Sequence, residues 1–158
     1  MSNLVLIDQA LLEAVSAEAK AAPRGRKNRN FHPGDDYPAH RLINAVEPGS
    51  YIAPHRHLAP SKDESMIVLR GRLGLVSFDA AGQVIAHAVL SPSEAAIGVD
   101  IPHGVYHTVL ALEPGAVFFE AKAGPYLPLS AEEKAPWAPA EGEPGVADYY
   151  AGLVALFK

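Results

Sequence analysis

Short runs of alternating apolar and polar residues fill the middle of the chain. From His40 to Lys122 these runs are separated by turn signals, a spacing typical of a β-sandwich or barrel. The runs are RLINAV, YIAPHRH, SMIVLRG, RLGLVSFD and VIAHAVL. EPGS at 47–50 and EPGA at 113–116 place Pro and Gly at the central positions of a type II turn, so each predicts a corner of a sheet. The pattern therefore predicts an all-β core.

Two short helices are predicted outside this core. Asp8 can cap the first, and Pro23 with Gly25 can end it. One face of that helix is apolar and carries Leu11, Leu12, Val15 and Ala19. Residues 146–157 repeat apolar side chains at helical spacing, which predicts a second, amphipathic helix. Its apolar face is expected to pack on the core, with a homodimer contact as the alternative.

Two polar segments join the helices to the core. Residues 23–30, PRGRKNRN, are expected to form a solvated basic linker, with an anion-binding lip beside a pocket as the alternative. After Lys122 the chain becomes rich in proline and is expected to wrap around the barrel. We therefore expect a single domain over 1–158, made of a helix and linker (1–39), a barrel (40–122) and a wrapping segment with a helix (123–158).

Composition narrows the functional classes. The chain has 158 residues, of which 49% are hydrophobic and 20% charged, enough for one ordinary core. A net charge of -5 gives no general attraction to nucleic acid or anionic membranes, so a small molecule is the expected partner. The N-terminal sequence lacks the basic and long apolar regions of a secretory signal, and we expect a cytoplasmic protein.

A set of histidines and one glutamate predicts a metal site. His55 and His57 are two residues apart, so on a strand their side chains would share one face. Glu64 begins the next predicted strand, and His107 begins another directly after the turn at 102–104. The chain contains no cysteine, so a metal must bind nitrogen and oxygen. Three imidazoles and a carboxylate suit divalent Fe, Zn, Ni or Mn and leave positions open for substrate, water or dioxygen.

Four further residues are candidates for chemistry near the metal. Glu120 and Lys122 alternate along one predicted strand, so both could face the barrel interior, Glu120 as general base or partner of a ligand histidine and Lys122 as a binder of an anionic substrate. The alternative is a simple ion pair. Tyr51 shares the parity of His55 and could bind a substrate hydroxyl or fill the interior. His103 could shuttle protons at the rim or be a plain turn residue.

These residues resemble the two sequence motifs of the cupin superfamily. The first motif is matched by Gly49, His55, His57, Glu64 and Gly71, and the second by PHGVYH at 102–107. The loop between His57 and Glu64 is longer than in the common pattern, and Ala111 stands where the second motif often has Asn.

A narrower resemblance covers most of the chain. NAVEPGSYIAPHRH, FDAAGQV, VYHTVLAL, FFEAKAGPYLP and APWAPAEG resemble the WbuC family of cupin-fold metalloproteins. The resemblance implies a double-stranded β-helix, jelly-roll-like, with a mononuclear metal and a sugar-like or hydroxylated substrate linked to bacterial O-antigen and lipopolysaccharide biosynthesis. By the same analogy we expect a homodimer.

The kind of activity stays open on sequence grounds. As an enzyme the protein would be a metal-dependent isomerase, epimerase, lyase or dioxygenase. The alternatives are a non-catalytic, metal-dependent small-molecule binding protein and a metal-free sugar epimerase or isomerase that uses His and Tyr as base and acid.

Overall fold

A computed structural model describes residues 3–158 of the chain. This part contains two α-helices and eight β-strands. In chain order they are α1 (Gln9–Ala21), β1 (Arg26–Asn30), β2 (Ala39–Val46), β3 (Glu64–Arg70), β4 (Leu73–Phe78), β5 (Val84–Leu90), β6 (Gly98–Ile101), β7 (Tyr106–Ala111), β8 (Ala116–Ala123) and α2 (Val146–Ala155). Neither helix in the described part has the length and apolar character needed to cross a bilayer.

The strands form two antiparallel sheets that share a core. The larger sheet has the order β1-β2-β8-β3-β6 and the smaller sheet the order β5-β4-β7. Val46 and Phe118 from the larger sheet pack with Leu73, Leu90 and Val109 from the smaller sheet. Burial of apolar side chains from both sheets holds the two layers face to face. The predicted all-β architecture with two short helices is confirmed.

Helix α1 covers the outer face of the larger sheet. The Asp8 side chain accepts a hydrogen bond from the Leu11 N–H at 2.9 Å, which satisfies one of the free donors at the helix start. Leu12, Val15 and Ala19 pack against sheet residues that include Ile43. The predicted cap and the buried face are both present, and the helix ends at Ala21, just before Pro23.

The predicted linker at 23–30 is partly wrong, because Arg26–Asn30 forms the edge strand β1. It pairs with β2 from Arg26 opposite Val46 to Asn30 opposite Leu42. The sequence RKNRN has no apolar alternation to signal a strand, since β1 buries no apolar side chain of its own. Its order comes from backbone hydrogen bonds to β2. The sheet therefore begins before the predicted boundary at His40.

The proline-rich segment after β8 lies on the smaller sheet, as expected of a wrapping segment. The Ala135 N–H donates to Pro54 O at 3.2 Å, and Trp137 packs on Phe78 with ring centroids 4.8 Å apart. Helix α2 continues this cover, and its Leu153 joins the same apolar cluster. The predicted packing of α2 is thus observed, and the helix ends at Ala155.

An ion-pair cluster fastens the end of the wrapping segment to the start of β1. Arg24 donates to both Glu141 oxygens at 2.7 Å, and Arg26 donates to Oε2 at 2.5 Å. Hydrogen bonding from Arg24, and then from Arg26, lowers the pKa of Glu141 to about 2. A lowered folded-state pKa means that this carboxylate stabilises the fold above its ordinary pKa and loses that effect as the pH falls.

We predict that Glu141→Gln lowers the free energy of unfolding at pH 7 by less than about 1 kcal/mol, since Glu141 and Arg24 are exposed to solvent. The difference from wild type should shrink as the pH falls from the ordinary value of 4.5 toward 2. Urea unfolding at a series of pH values measures it. Glu132→Gln, an exposed carboxylate of the same segment, is the control. A pH-independent difference would contradict the assignment.

Candidate metal centre

Backbone pairing places His55 beside His107. The His55 N–H donates to His107 O at 3.1 Å, and the His107 N–H donates to His55 O at 2.9 Å. Side chains of directly opposed residues lie on the same side of a sheet, and the two imidazole centroids are 4.8 Å apart. The predicted strand YIAPHRH is wrong in extent, because only His55 forms a β-bridge, to His107 on one side and Lys134 on the other.

Glu64 lies at the centre of the group. It begins β3, as predicted, and only 2% of its surface is exposed. His57 Nε2 is 2.5 Å from Glu64 Oε1, and His107 Nε2 is 3.4 Å from Oε2. One ligand atom from each of His55, His57 and Glu64 lies within 4.8 Å of the others. The structure therefore brings together all four residues that the sequence predicts as metal ligands.

Hydrogen bonds at Nδ1 fix the tautomers of two histidines. His55 Nδ1 is 2.9 Å from Ala53 O, and His107 Nδ1 is 2.9 Å from Val105 O. A carbonyl oxygen only accepts, so in each ring Nδ1 carries the hydrogen and the neutral ring keeps its lone pair on Nε2. Nε2 of His57 and of His107 are buried, and each faces a Glu64 oxygen without the alignment of a hydrogen bond. Imidazoles oriented through Nδ1 with Nε2 free are typical of metal ligands.

Electrostatics favour the protonation states that bind metals. Burial, followed by the neighbouring His107, lowers the pKa of His55 to about 4, which keeps this ring neutral near pH 7. Burial of Glu64 opposes its ionisation. The adjacent His107 and His57 side chains and the charge of Lys122 outweigh burial, and the pKa of Glu64 lies well below its ordinary value. The centre thus combines a neutral His55 ring with an ionised carboxylate.

The long loop between His57 and Glu64 is held at several points. Lys62 N–H donates to Ala59 O at 2.9 Å and closes a turn. The Lys62 ammonium donates to Ala123 O at 2.8 Å and also to Pro125 O. These bonds tie the loop to the end of β8. The additional residues of the loop therefore form a brace, and they leave Glu64 in place at the start of β3.

Glu120 and Lys122 both line the space in front of the centre. Lys122 Nζ is 3.2 Å from Glu64 Oε1 and 4.0 Å from Glu120 Oε2. Burial, and then the negative charge of Glu64, raise the pKa of Glu120 to about 7. A carboxyl that titrates near neutral pH can exchange protons with a bound molecule. The two side chains share one strand face, as their spacing predicts.

Two cavities, of about 530 and 560 Å³, meet at the centre. Both are lined by Asn28, Asn44, His55, Glu120 and Lys122. The first also reaches apolar residues of the core and the basic residues at the start of β1, in the lists Val46, Ile52, Met66, Val109, Phe118 and Arg24, Arg26, Lys27. Cavities of this size accept a small molecule. The basic residues lie in the wall of the first cavity, which is where the alternative interpretation of residues 23–30 as an anion-binding lip places them.

Tyr51 lies away from these cavities. Its hydroxyl donates to Pro139 O at 2.8 Å, and its ring packs edge-on against Tyr149 in the cluster on the outer face of the smaller sheet. The expectation that Tyr51 faces the same interior as His55 is wrong. Residues 51–54 form no strand, so side-chain parity does not apply to them. Tyr51 fills space and bonds the wrapping segment.

His103 lies in the turn before β7, as predicted. Its ring Nδ1 is 2.8 Å from Asp63 Oδ1, and its backbone N–H donates to the same oxygen at 2.7 Å. Both groups are largely exposed, with 43% and 53% of their side chains accessible. The contact joins the turn to the loop before Glu64, and a role of His103 in proton transfer stays a prediction.

Sequence reasoning missed three residues near the centre. Asn28 and Asn44 face each other across β1 and β2 and line both cavities, and Lys62 braces the loop. For Asn28 the available signal was side-chain parity. If RKNRN is assumed to be a strand, the side chain of Asn28 shares one face with those of Arg26 and Asn30. Lys62 carried no signal, because its partners are carbonyls distant in the sequence.

We predict that Lys62→Met lowers the free energy of unfolding by about 1 kcal/mol, since a half-buried carbonyl at Ala123 and an exposed one at Pro125 lose a charged donor. Amide hydrogen exchange should rise mainly over residues 58–63 and 123–126. Lys134→Met, an exposed lysine of the wrapping segment, should match wild type. Unchanged exchange in the Lys62 variant would refute the brace.

Comparison with known proteins identifies the family and the fold. The family model described as Domain of unknown function (DUF6016) matches residues 7–90, just over half of the chain. No curated protein sequence matches significantly.

Three solved structures illustrate the similarity. A recombinant oxalate oxidase in complex with glycolate has a TM-score of 0.52 at 18% identity, and the match covers 68% of this chain and 55% of that one. The conserved protein SPY1581 of unknown function from Streptococcus pyogenes has a TM-score of 0.52 at 11% identity, covering 80% and 93%. CapF with the inhibitor 3-isopropenyl-tropolone has a TM-score of 0.50 at 20% identity, covering 64% and 28%.

The chain spans about half of the oxalate oxidase and under a third of CapF. At these identities the similarity concerns the fold alone, and the oxalate oxidase and CapF are cupin-fold proteins. With its two antiparallel sheets around a common core, the chain has the cupin double-stranded β-helix fold and belongs to the DUF6016 family.

Proposed function

We propose that His55, His57, Glu64 and His107 hold one divalent metal ion that acts on a small hydroxylated molecule. One observation carries the proposal: buried imidazole nitrogens that make no hydrogen bond converge on a buried, ionised carboxylate. Such atoms are costly to bury unless something binds them. A cation bound by these donors would satisfy them together.

The donor set fits a first-row divalent metal. Three imidazole nitrogens and one carboxylate oxygen suit Fe, Ni, Mn and Zn, and they do not fill an octahedral coordination shell. The remaining positions would face the cavities, where a substrate can enter. The element itself depends on supply in the cell as well as on affinity.

The surrounding residues supply the rest of the chemistry. A divalent ion at these ligands would polarise a bound hydroxyl or carbonyl oxygen. Glu120 carries a carboxyl with a pKa of about 7 in the same cavity, and it would accept or return the proton of the substrate. The apolar residues Met66, Val109 and Phe118 line the inner wall and would exclude water from it.

The substrate class rests on the sequence resemblance and on the polar lining. Asn28 and Asn44 offer amide groups that can bind hydroxyls, which is consistent with a sugar-like molecule. The link to lipopolysaccharide biosynthesis, the WbuC family, the single-domain organisation, the homodimer and the cytoplasmic location stay predictions. A metal-free epimerase with Tyr51 as its acid is not favoured, since that hydroxyl is bonded to Pro139 outside the cavities.

We predict that untagged protein binds about one divalent ion per chain, and that His55→Ala combined with His107→Ala removes it. The physical reason is that the double variant loses two of the four proposed donor atoms. Plasma mass spectrometry after incubation with Fe, Ni, Mn or Zn measures the content. Circular dichroism verifies that the double variant remains folded.

His87→Ala is the matched control, because His87 lies on β5 against Phe157 and away from the centre. It should retain the metal at the wild-type ratio. Wild-type protein that takes up none of the four metals would refute the metal centre, as would a double variant that still binds one ion per chain.

We predict that Glu120→Gln retains one metal per chain but slows turnover at least about a hundredfold, the usual effect of losing a general acid or base. A screen of hydroxylated acids and sugars with the metal-loaded protein identifies the reaction on which it is measured. Full turnover by the variant would remove Glu120 from the mechanism. Tight binding of a screened compound without turnover would instead identify a binding protein.

A further inference from the structure

Lys122 contacts the carboxylate that is predicted to bind the metal. Its ammonium nitrogen is 3.2 Å from Glu64 Oε1, and this contact is set by the sheet, because Lys122 on β8 lies directly opposite Glu64 on β3. The same oxygen is 2.5 Å from His57 Nε2. One carboxylate oxygen is therefore shared between the Lys122 ammonium and an imidazole proposed as a metal ligand.

A second carboxylate lies within reach of the same ammonium. Glu120 Oε2 is 4.0 Å from Lys122 Nζ, and Glu120 precedes Lys122 by two residues on the same strand face. The side chain of Lys122 is 19% exposed, that of Glu120 13% and that of Glu64 2%. Charges so little exposed are weakly screened by solvent and ions. Lysine has a flexible stem, so a change of partner needs only rotation of its side chain.

A metal ion and an ammonium group cannot both lie against one carboxylate oxygen without repulsion. A divalent ion bound to Glu64 would stand within a few ångströms of the Lys122 charge, in surroundings that screen poorly. Rotation of the Lys122 side chain away from Glu64 would relieve this repulsion at the lowest free-energy cost. Glu120 is the acceptor that the strand places beside it.

We propose that Lys122 competes with the metal for Glu64 and transfers its ammonium to Glu120 when the metal binds. This inference rests on the proposed function, since it concerns the same centre. Lys122 is thus a positioning residue: it compensates the buried carboxylate, limits the affinity for the metal, and couples metal binding to the surroundings of Glu120. This differs from the sequence-based expectation that Lys122 holds an anionic substrate.

The test compares metal affinities of chelator-treated proteins by titration of Zn²⁺ or Mn²⁺ against a chromophoric chelator. Lys122→Met should bind the metal at least tenfold more tightly than wild type, since the competing charge is gone. Lys122→Arg keeps the charge and should remain within threefold of wild type. Lys27→Met removes an exposed lysine from the wall of the same cavity and should also match wild type.

A double-mutant cycle separates the change of partner from simple charge removal. Glu120→Gln should weaken metal binding about fivefold, because Lys122 loses the acceptor to which it turns. In the Lys122→Met background the same substitution should have no more than a twofold effect. A purely structural role of Lys122 would not produce this coupling.

The outcomes are distinguishable from those of the proposed function. Unchanged or weaker metal binding by Lys122→Met, with wild type binding normally, overturns the competition and leaves the metal centre intact. Wild-type protein that binds no metal overturns both. If Lys122→Met does not fold, Lys122→Gln makes the same comparison with a neutral donor in place of the charge.

Discussion

The buried carboxylate of Glu64 is the constraint on which this site depends. An ionised group with 2% exposure is tolerated only where positive or hydrogen-donating partners compensate for the lost water. The Lys122 ammonium donates to it, His57 and His107 face its two oxygens, and each of the three comes from a different part of the chain. The buried charge of Glu64 is therefore compensated only in the folded barrel, since these side chains meet only when the strands pair.

Backbone hydrogen bonds hold the partners in place. The reciprocal bonds between His55 and His107 join the irregular segment after β2 to β7, and Arg56 N–H donates to Glu133 O at 2.9 Å on the other side. The segment that carries two histidines is thus fixed along both edges, although it forms no regular strand. A site built on such fixed backbone keeps its side chains in a defined geometry. The wrapping segment supplies no predicted metal ligand, but it contacts the segment that carries His55 and His57.

Much of the fold and of the centre could be predicted because it depends on local patterns. The alternation of apolar residues indicated the strands, Asp8 indicated the start of α1, and the spacing of His55, His57 and Glu64 indicated ligands on a common side. The failures arose where order depends on distant partners. β1 is polar and is ordered by β2, so its composition resembled a linker.

The contact of Lys122 with Glu64 spans 58 positions in the sequence and depends on strand register, which no local pattern reveals. Tyr51 illustrates the opposite error. Its parity with His55 was a sound rule for a strand, and it was applied where the chain leaves the strand geometry. Local periodicity thus predicted which residues belong to the centre more successfully than it predicted which charges and side chains contact one another.

X-ray absorption spectroscopy of the metal-loaded protein tests the central claim most directly, because it reports the atoms bound to the ion. The account predicts a first shell of nitrogen and oxygen alone, with outer-shell scattering from about three imidazole rings that falls to about two in His107→Ala. A shell without imidazole scattering, or one that the His107 substitution leaves unchanged, would contradict the account.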